Sequence, residues 1–315
     1  MEREFTIIDQ YFKSISAQAE GVVEGPGDDC AILSFPAGFE ACLSTDTLLE
    51  DVHFPRGCPP SVIASRTLGA NLSDLAAMGA KPHSFLLALT LPEADETWLR
   101  GFSEALSALI KIYDLPLVGG NLSQGHLSLS VTIIGVAPVG RAVRRVGAKA
   151  GHDIFVTGTL GDAAQGLERV KAGDYGGYLA SRYCAPTPRL EAGIVLREYA
   201  SAMIDISDGL MADLGHICES SELGAVIESV HLPLSKELLA SLSQERATQM
   251  ALFAGDDYEL CFTVDPLNAD KMLAALKETE VKVTRIGQMR AGQEVVAVDS
   301  EGSPIRHDGA GYQHF

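Results

Sequence analysis

The sequence predicts an α/β (α+β) protein of two domains, on three observations. Short apolar runs of strand length alternate with stretches at helical spacing along the chain, which argues packed layers of both element types. Clusters rich in Gly, Pro and Asp punctuate them. At 315 residues the chain has room for two ordinary domains, and around residues 135–151 its composition shifts to Gly, Ala, Arg and Lys, which places a boundary giving domains 1–140 and 141–315.

Phe5, Ile8, Tyr11 and Phe12 fall at helical spacing, so the amino terminus reads as a short amphipathic helix. Gly25-Pro26-Gly27-Asp28-Asp29-Cys30 is a turn cluster. Ala41-Cys42-Leu43-Ser44 is a strand that delivers Thr45-Asp46 at its exit. Pro60-Ser61 opens a helix with Ser61 as N-cap, and Gly79 followed by Lys81-Pro82 closes it. Leu68, Leu72 and Leu75 form its apolar stripe; Thr67, Asn71 and Asp74 form an adjoining polar one, so Asn71 and Asp74 point the same way. Residues 85–91 read as a buried strand, and Trp98, Phe102, Leu106, Leu109 and Tyr113 as the core face of a second helix. Pro116-Leu117-Val118 leads into Gly119-Gly120-Asn121, and 126–134 alternates as a half-buried strand with Leu127, Leu129, Val131 and Ile133 inward.

Beyond the boundary, 154–157 is a strand that runs through Gly158-Thr159-Leu160-Gly161-Asp162 into a helix. Pro186-Thr187-Pro188-Arg189 breaks the chain before another helix. Residues 202–206 form a strand, and Ser207-Asp208-Gly209 caps a helix whose buried face is Leu210, Leu214 and Ile217. Residues 250–254 and 259–264 read as strands flanking Gly255-Asp256-Asp257-Tyr258.

Composition excludes several classes. Apolar residues at 46% with charged residues at 21% describe a globular chain, and no apolar run approaches the roughly 18 to 20 residues of a membrane span. MEREFTIIDQYF has no basic region before an apolar core, so no secretory signal is read and a cytoplasmic protein is expected. The six cysteines include no CxxC pair and the eight histidines no HxxxH, which leaves zinc and haem without support. A net charge of −18 repels nucleic acid and anionic membrane. It repels nucleotide phosphates too, so any phosphate-handling site here needs local cations.

Five acidic motifs stand out: Asp28-Asp29, Thr45-Asp46, Asp74, Asp205 with Asp208, and Asp256-Asp257. Each alone is explained as a turn residue or helix cap, Asp208 before Gly209 most simply of all. Together they point elsewhere, because Asp205 lies within the apolar Met203-Ile204-Asp205-Ile206 with no Lys or Arg beside it in sequence. Oxygen donors alone (Asp, Ser44, Thr45, Asn71, Asn121) suit Mg²⁺, which retains positions for water and substrate phosphates. A nucleoside triphosphate is the natural partner. The chain has no GxxxxGK[ST] loop and neither an HRD nor a DFG motif, so it is neither a P-loop NTPase nor a protein kinase.

Six segments in order resemble the thiamine-monophosphate kinase family: Gly27-Asp28-Asp29-Cys30-Ala31; Ser44-Thr45-Asp46-Thr47-Leu48 with Asp51-Val52-His53-Phe54; the run from Asn71 to Ala80; the run from Val156 to Asp162; the run from Asp205 to Leu210; and the run from Gly255 to Leu260. The resemblance implies a fold shared with aminoimidazole ribonucleotide synthetase and selenophosphate synthetase, in which the N-terminal domain forms a β-barrel across a homodimer and a C-terminal α/β domain completes the active cleft. It implies ATP and thiamine phosphate as substrates and several Mg²⁺ ions. Asp28, Ser44, Thr45, Asp46, Asp74, Asn121, Asp205 and Asp208 would hold metal, with Asp46 and Asp74 central to catalysis. Gly120, Asn121, Arg145 and Ser207 would hold ATP, and His53, Asp256 and Tyr312 would contact thiamine phosphate. Departures from the family pattern are Asn121 in place of Asp, Asp256 in place of Glu, and Tyr312 in place of Trp. Outside the resemblance, His53 reads equally as a packed loop residue, Arg145 as part of a solvated linker and Tyr312 as an anchor for the tail. Relatives of the same fold that need a cysteine are disfavoured, since no reactive Cys with an adjacent Gly-rich loop is read near the amino terminus and none in His314-Phe315.

Overall fold

Two units make up the computed structural model, which describes residues 2–16 and 19–306: Met1–Leu75 with Ala80–Arg141, and Ala76–Gly79 with Ala142–Phe315. The first contains α1 (Glu2–Ile7), β1 (Val22–Glu24), β2 (Ile32–Leu33), β3 (Phe39–Leu49), most of α2 (Pro60–Ala77), β4 (Lys81–Leu91), α3 (Glu96–Tyr113), β5 (Leu117–Gln124) and β6 (Ser128–Pro138). Its main sheet runs β3-β6-β4-β5, antiparallel except for the β4–β5 pair, which α3 connects as a crossover. The dimeric barrel expected from the resemblance is not seen within one chain: among the described residues this sheet is open, with β3 and β5 as its edges.

Several elements differ from expectation, each for a local reason. The amino-terminal helix stops at Ile7 and becomes a π-helical turn, Ile8–Phe12, which buries Tyr11 and Phe12 while Phe5 stays exposed. β3 does not end at Thr45-Asp46; pairing with β6 carries it on to Leu49 and leaves Asp46 in mid-strand opposite Val131. Gly119-Gly120-Asn121 is likewise strand, held by parallel pairing to Leu86, Leu87 and Ala88. α2 begins at Pro60, whose missing N–H suits the first helical position, so Ser61 lies inside the helix rather than capping it. Leu68, Leu72 and Leu75 are buried as expected, but so are Thr67 and Asn71. In α3, Asp95 caps the start by accepting from the Thr97 and Trp98 amides, and the buried stripe is Leu99, Phe102, Leu106 and Ile110; Leu109 and Tyr113 sit at its margin.

The second unit adds β7 (Asp153–Thr157), α4 (Asp162–Lys171), α5 (Gly177–Cys184), α6 (Leu190–Leu196), β8 (Ala200–Asp205), α7 (Leu210–Ser221), β9 (Gly224–Glu228), α8 (Lys236–Ser241), α9 (Gln244–Phe253), β10 (Leu260–Val264), α10 (Ala269–Leu276), β11 (Val283–Arg290) and β12 (Val295–Val298). The sheet order is β12-β9-β11-β7-β10-β8, with only β12–β9 parallel. Residues 250–254, expected as a strand, fall at the end of α9 and just beyond it, where the Ser243 cap and the buried Ala247, Ala251 and Leu252 favour helix. β7 and β10 are buried along nearly their whole length because the sheet is covered on both faces. Ile154, Val156, Ile204 and Cys261 join Leu210, Leu214 and Ile217 on one side; Phe155, Met203 and Phe262 join Leu196, Met272 and Leu276 on the other. Among the described residues no helix is long and apolar enough to cross a membrane.

Phe262 is fully buried and stacks on Phe155 at 5.7 Å. Phe262→Ala is expected to destabilise the second unit by about 3–5 kcal/mol, read as a lowered urea midpoint.

Candidate active site

Two oxygen-bearing side chains meet in the first unit, and a third lies on the same strand face. Ser44 and Asp46, two apart on β3, share one face of the strand, and Asp74 of α2 approaches so that Ser44 Oγ donates to Asp74 Oδ2 at 2.5 Å. One turn earlier on α2, Asn71 donates from Nδ2 to the Thr67 carbonyl at 2.9 Å, and its Oδ1 is buried without a partner among the described residues. Asp28 stands in an exposed turn, accepting the Asp29 amide at 2.8 Å. His53 is fixed twice: the Leu49 amide donates to its Nδ1 at 3.0 Å, and Arg66 Nη2 donates to its carbonyl at 3.1 Å. In the neutral ring the proton therefore sits on Nε2.

Strand alternation separates Thr45 and Asn121 from this group. Thr45 projects from the other face of β3, where its hydroxyl pairs with that of Thr132 at 2.9 Å. Cross-strand partners share a face, and Thr47, Ser130, Ala88 and Asn121 follow one another across the sheet, so Asn121 lies on the Thr45 face. It also lies at the opposite edge from β3, three strand spacings or about 14 Å away. Within one chain, then, Ser44 and Asp74 meet, Asp46 shares the Ser44 face of β3, and Thr45 and Asn121 lie on the other face. Gly120 beside it is required by packing: a Cβ there would fall 1.9 Å from the Leu87 carbonyl oxygen.

In the second unit β8 ends on the buried Asp205, paired with Leu260 of β10. The two chains keep pairing beyond the strands, as the Asp256 amide donates to the Ser207 carbonyl and the Tyr258 amide to the Ile206 carbonyl, both at 2.8 Å. This places the Ser207-Asp208 turn against the Asp256 loop, whose Asp256 and Tyr258 are left-handed at φ 70° and 50°. Asp208 caps nothing. Asp213 instead turns back from the first turn of α7, and its Oδ2 accepts the Ser207, Asp208 and Gly209 amides, each at 3.1 Å. Burial first, then the Asp208 charge, pushes the Asp213 carboxyl up to about 7. Arg145 is exposed, and its carbonyl accepts from the Ser221 hydroxyl at 3.4 Å. Tyr312 lies outside the described residues.

Among the described residues no three Asp, Glu, His or Cys side chains gather as a metal cluster. The candidate donors are instead Ser44 bonded to Asp74 with Asp46 on the Ser44 face in the first unit, and Asp205 and Asp208, three residues apart, in the second. That all-oxygen chemistry fits Mg²⁺, which needs one or two carboxylates and completes its shell with water and phosphate. A cavity of about 370 Å³ lined by Tyr11, Arg100, Ser103 and Glu104 holds none of these residues.

Residues 27–137 match the AIR synthase related protein N-terminal domain, and residues 149–300 the corresponding C-terminal domain. The thiamine-monophosphate kinase of Salmonella typhimurium is 44% identical over 99% of this chain and 98% of its own length. The chain belongs to the thiamine-monophosphate kinase family. The crystal structure of the family member from Stenotrophomonas maltophilia superposes with a TM-score of 0.86 at 40% identity, covering 92% of this chain and 95% of that one. AaThiL complexed with AMPPCP and TMP gives 0.78 at 30% identity, covering 100% and 98%.

This thiamine-monophosphate kinase family member also holds, inside its sequence motifs, polar groups to which the sequence assigns no role. Asp257 caps α4, accepting from the Gly161 amide at 2.7 Å and the Ala163 amide at 3.3 Å. Glu259 is fully buried and accepts from Arg182 at 2.8 Å, from Arg189 at 2.5 and 2.6 Å, and from Thr157 at 2.6 Å. The signal for Glu259 was its position directly before an apolar strand. Nothing local in sequence pairs it with arginines 70 and 77 residues away.

Burial pushes the Asp257 carboxyl up to about 8, against the pull of the two amides and Arg182. The folded chain thus holds a proton that the unfolded chain releases near pH ~4, so this stability is present below ~4 and lost as pH rises through about 8, with a slope of up to ~1.4 kcal/mol per pH unit. Asp257→Asn, which stays neutral, is expected to flatten the fall of the urea midpoint between those pH values.

Proposed function

We propose that this chain transfers the terminal phosphoryl group of ATP to thiamine monophosphate, giving thiamine diphosphate and ADP. The observation that carries the proposal is the full-length likeness to thiamine-monophosphate kinases, among them a chain complexed with AMPPCP and TMP. The acceptor is a phosphate monoester whose second pKa is ~6, so near neutral pH its attacking oxygen is already mostly deprotonated and no strong base is needed. The demand on the protein is to hold two anionic groups in line and offset their repulsion.

Ser44, Asp46 and Asp74 hold Mg²⁺ in the first unit, with Asp28 from its turn, and Asp205 and Asp208 hold it in the second. Mg²⁺, when bound, supplies the positive charge that a chain of net −18 lacks. Asn121 and Thr45 serve from the other face of the sheet. Gly120, Asn121, Arg145 and Ser207 engage ATP; His53, fixed by Leu49 and Arg66, and Asp256 and Tyr312 engage the acceptor. The six cysteines form no disulfide among the described residues, as suits the reducing cytoplasm proposed for the chain. The active form is a homodimer in which two open sheets close into a barrel. Support comes from the free edges of β3 and β5 and from Phe39, Leu43 and Leu49, exposed along one face of β3.

ADP release measured with Mg²⁺ across thiamine, thiamine monophosphate and aminoimidazole precursors tests the reaction. Turnover on thiamine monophosphate alone is expected, and turnover on none of them would overturn the proposal. Asp46→Asn and Asp74→Asn are each expected to lower kcat about 10²-fold or more with an unchanged circular dichroism spectrum, and EDTA to abolish turnover reversibly. Leu43→Arg is expected to convert dimer to monomer in sedimentation; a persistent dimer would rule out the β3 face as the interface.

A further inference from the structure

Asp256 and Tyr258 hold a backbone conformation that side chains disfavour, and they alternate with the fully buried Asp257. Such a loop keeps its shape only if its surroundings hold it. Three of its holds are already described: the amides of Asp256 and Tyr258 bonded to the 206–207 segment, and the Asp257 carboxyl on α4. Within the loop the Tyr258 hydroxyl donates to Asp256 Oδ1 at 3.2 Å. A further hold from outside is Arg182 at the end of α5, whose Nη2 donates to the Asp257 carbonyl at 3.1 Å and to Glu259 Oε1 at 2.8 Å. This one nitrogen therefore spans the peptide between Asp257 and Tyr258 and the carboxylate anchoring the head of β10.

Charge pairing alone does not account for Arg182. Glu259 already has the two-pronged grip of Arg189 and the Thr157 hydroxyl, so its charge is matched without a second arginine. Arg182 also leaves its own Nε buried and unpaired among the described residues, a cost that a shorter or apolar side chain would avoid. What Arg182 adds, and Arg189 does not, is the bond to the loop.

We infer that Arg182 is a positioning residue for the phosphoryl acceptor, acting through the Asp257 carbonyl to set the direction in which Asp256 is presented. The inference rests on the reading that Asp256 engages thiamine monophosphate. Arg182 touches no reacting atom in this scheme, so its removal alters acceptor binding and leaves the chemical step and the nucleotide alone.

Steady-state kinetics of full-length Arg182→Met, Arg182→Lys, Asp256→Ala and the Arg182→Met/Asp256→Ala double variant test it. Arg182→Met is expected to raise KM for thiamine monophosphate about tenfold, with kcat and KM for ATP within about twofold of wild type. Arg182→Lys, which keeps several N–H donors on one nitrogen, is expected to recover most of that loss. The double variant is expected to be no worse than Asp256→Ala, because both changes remove the same interaction. Additive defects, or an unchanged acceptor KM in Arg182→Met alongside a raised one in Asp256→Ala, would overturn the inference while sparing the role of Asp256. An unchanged acceptor KM in Asp256→Ala would remove that role and the inference with it. If Arg182→Met does not fold, Arg182→Lys is read in its place. Failure of both to fold assigns Arg182 to the core and likewise overturns the inference.

Discussion

The carboxylate of Glu259 is the interaction on which the second unit's loops depend. It receives four hydrogen bonds, from Thr157 at the end of β7, from Arg182 on α5 and from Arg189 before α6, while its own carbonyl accepts the Ile206 amide past the end of β8. Through its side chain and carbonyl together, this one buried residue ties the end of β7, the start of β10 and the end of β8 to α5 and the lead into α6. Burying a charge is tolerable only when it is fully paired, and breaking such a pair typically costs about 3–5 kcal/mol. In a chain with 24 basic residues against 42 acidic ones, two arginines committed to one interior glutamate mark where rigidity matters most.

Acidic residues here fall into two populations that look alike in sequence. Asp162, Asp213, Asp257 and Glu259 face inward and are saturated by amides, hydroxyls or guanidinium groups; Asp162 alone takes the hydroxyls of Thr159, Ser235 and Tyr178. Asp28, Asp208 and Asp256 remain at the surface or partly so. Adjacent members of one motif can belong to different populations. Asp256 and Asp257 are neighbours, yet one is presented outward and the other closes a helix.

The fold class, the strand-turn-helix segments and the acidic motifs were legible because each rests on local spacing. The stripe Leu68, Leu72 and Leu75 and the inward set Leu127, Leu129, Val131 and Ile133 follow from periodicity alone. Elements decided by partners were not legible: Asp46 reads as a strand exit and Gly119-Gly120-Asn121 only as what Leu117-Val118 leads into, but neighbouring strands extend β3 and β5 past them. Residues 250–254 read as a strand because an apolar run of five does not distinguish strand from helix, and the Ser243 cap that decides it lies seven residues upstream. The side of the sheet on which each ligand candidate falls needed register, since Ser44 and Thr45 are adjacent in sequence and opposite in space. Asp213 was invisible for a different reason: a carboxylate on the buried face of an amphipathic helix contradicts the pattern until its three amide donors are known.

Those amides bear on how phosphate can be met at all. In many nucleotide-binding folds a glycine-rich turn leaves the first amides of a helix vacant, and the anion settles directly on the backbone. Here the two glycine-containing turns that lead into α4 and α7 are stoppered from within, by Asp257 and Asp213. Where a phosphate would seek N–H, both turns present carboxyl groups already bonded to the amides, so capture of an anion by bare backbone is closed off at these two helix ends and a phosphate must be met by other groups.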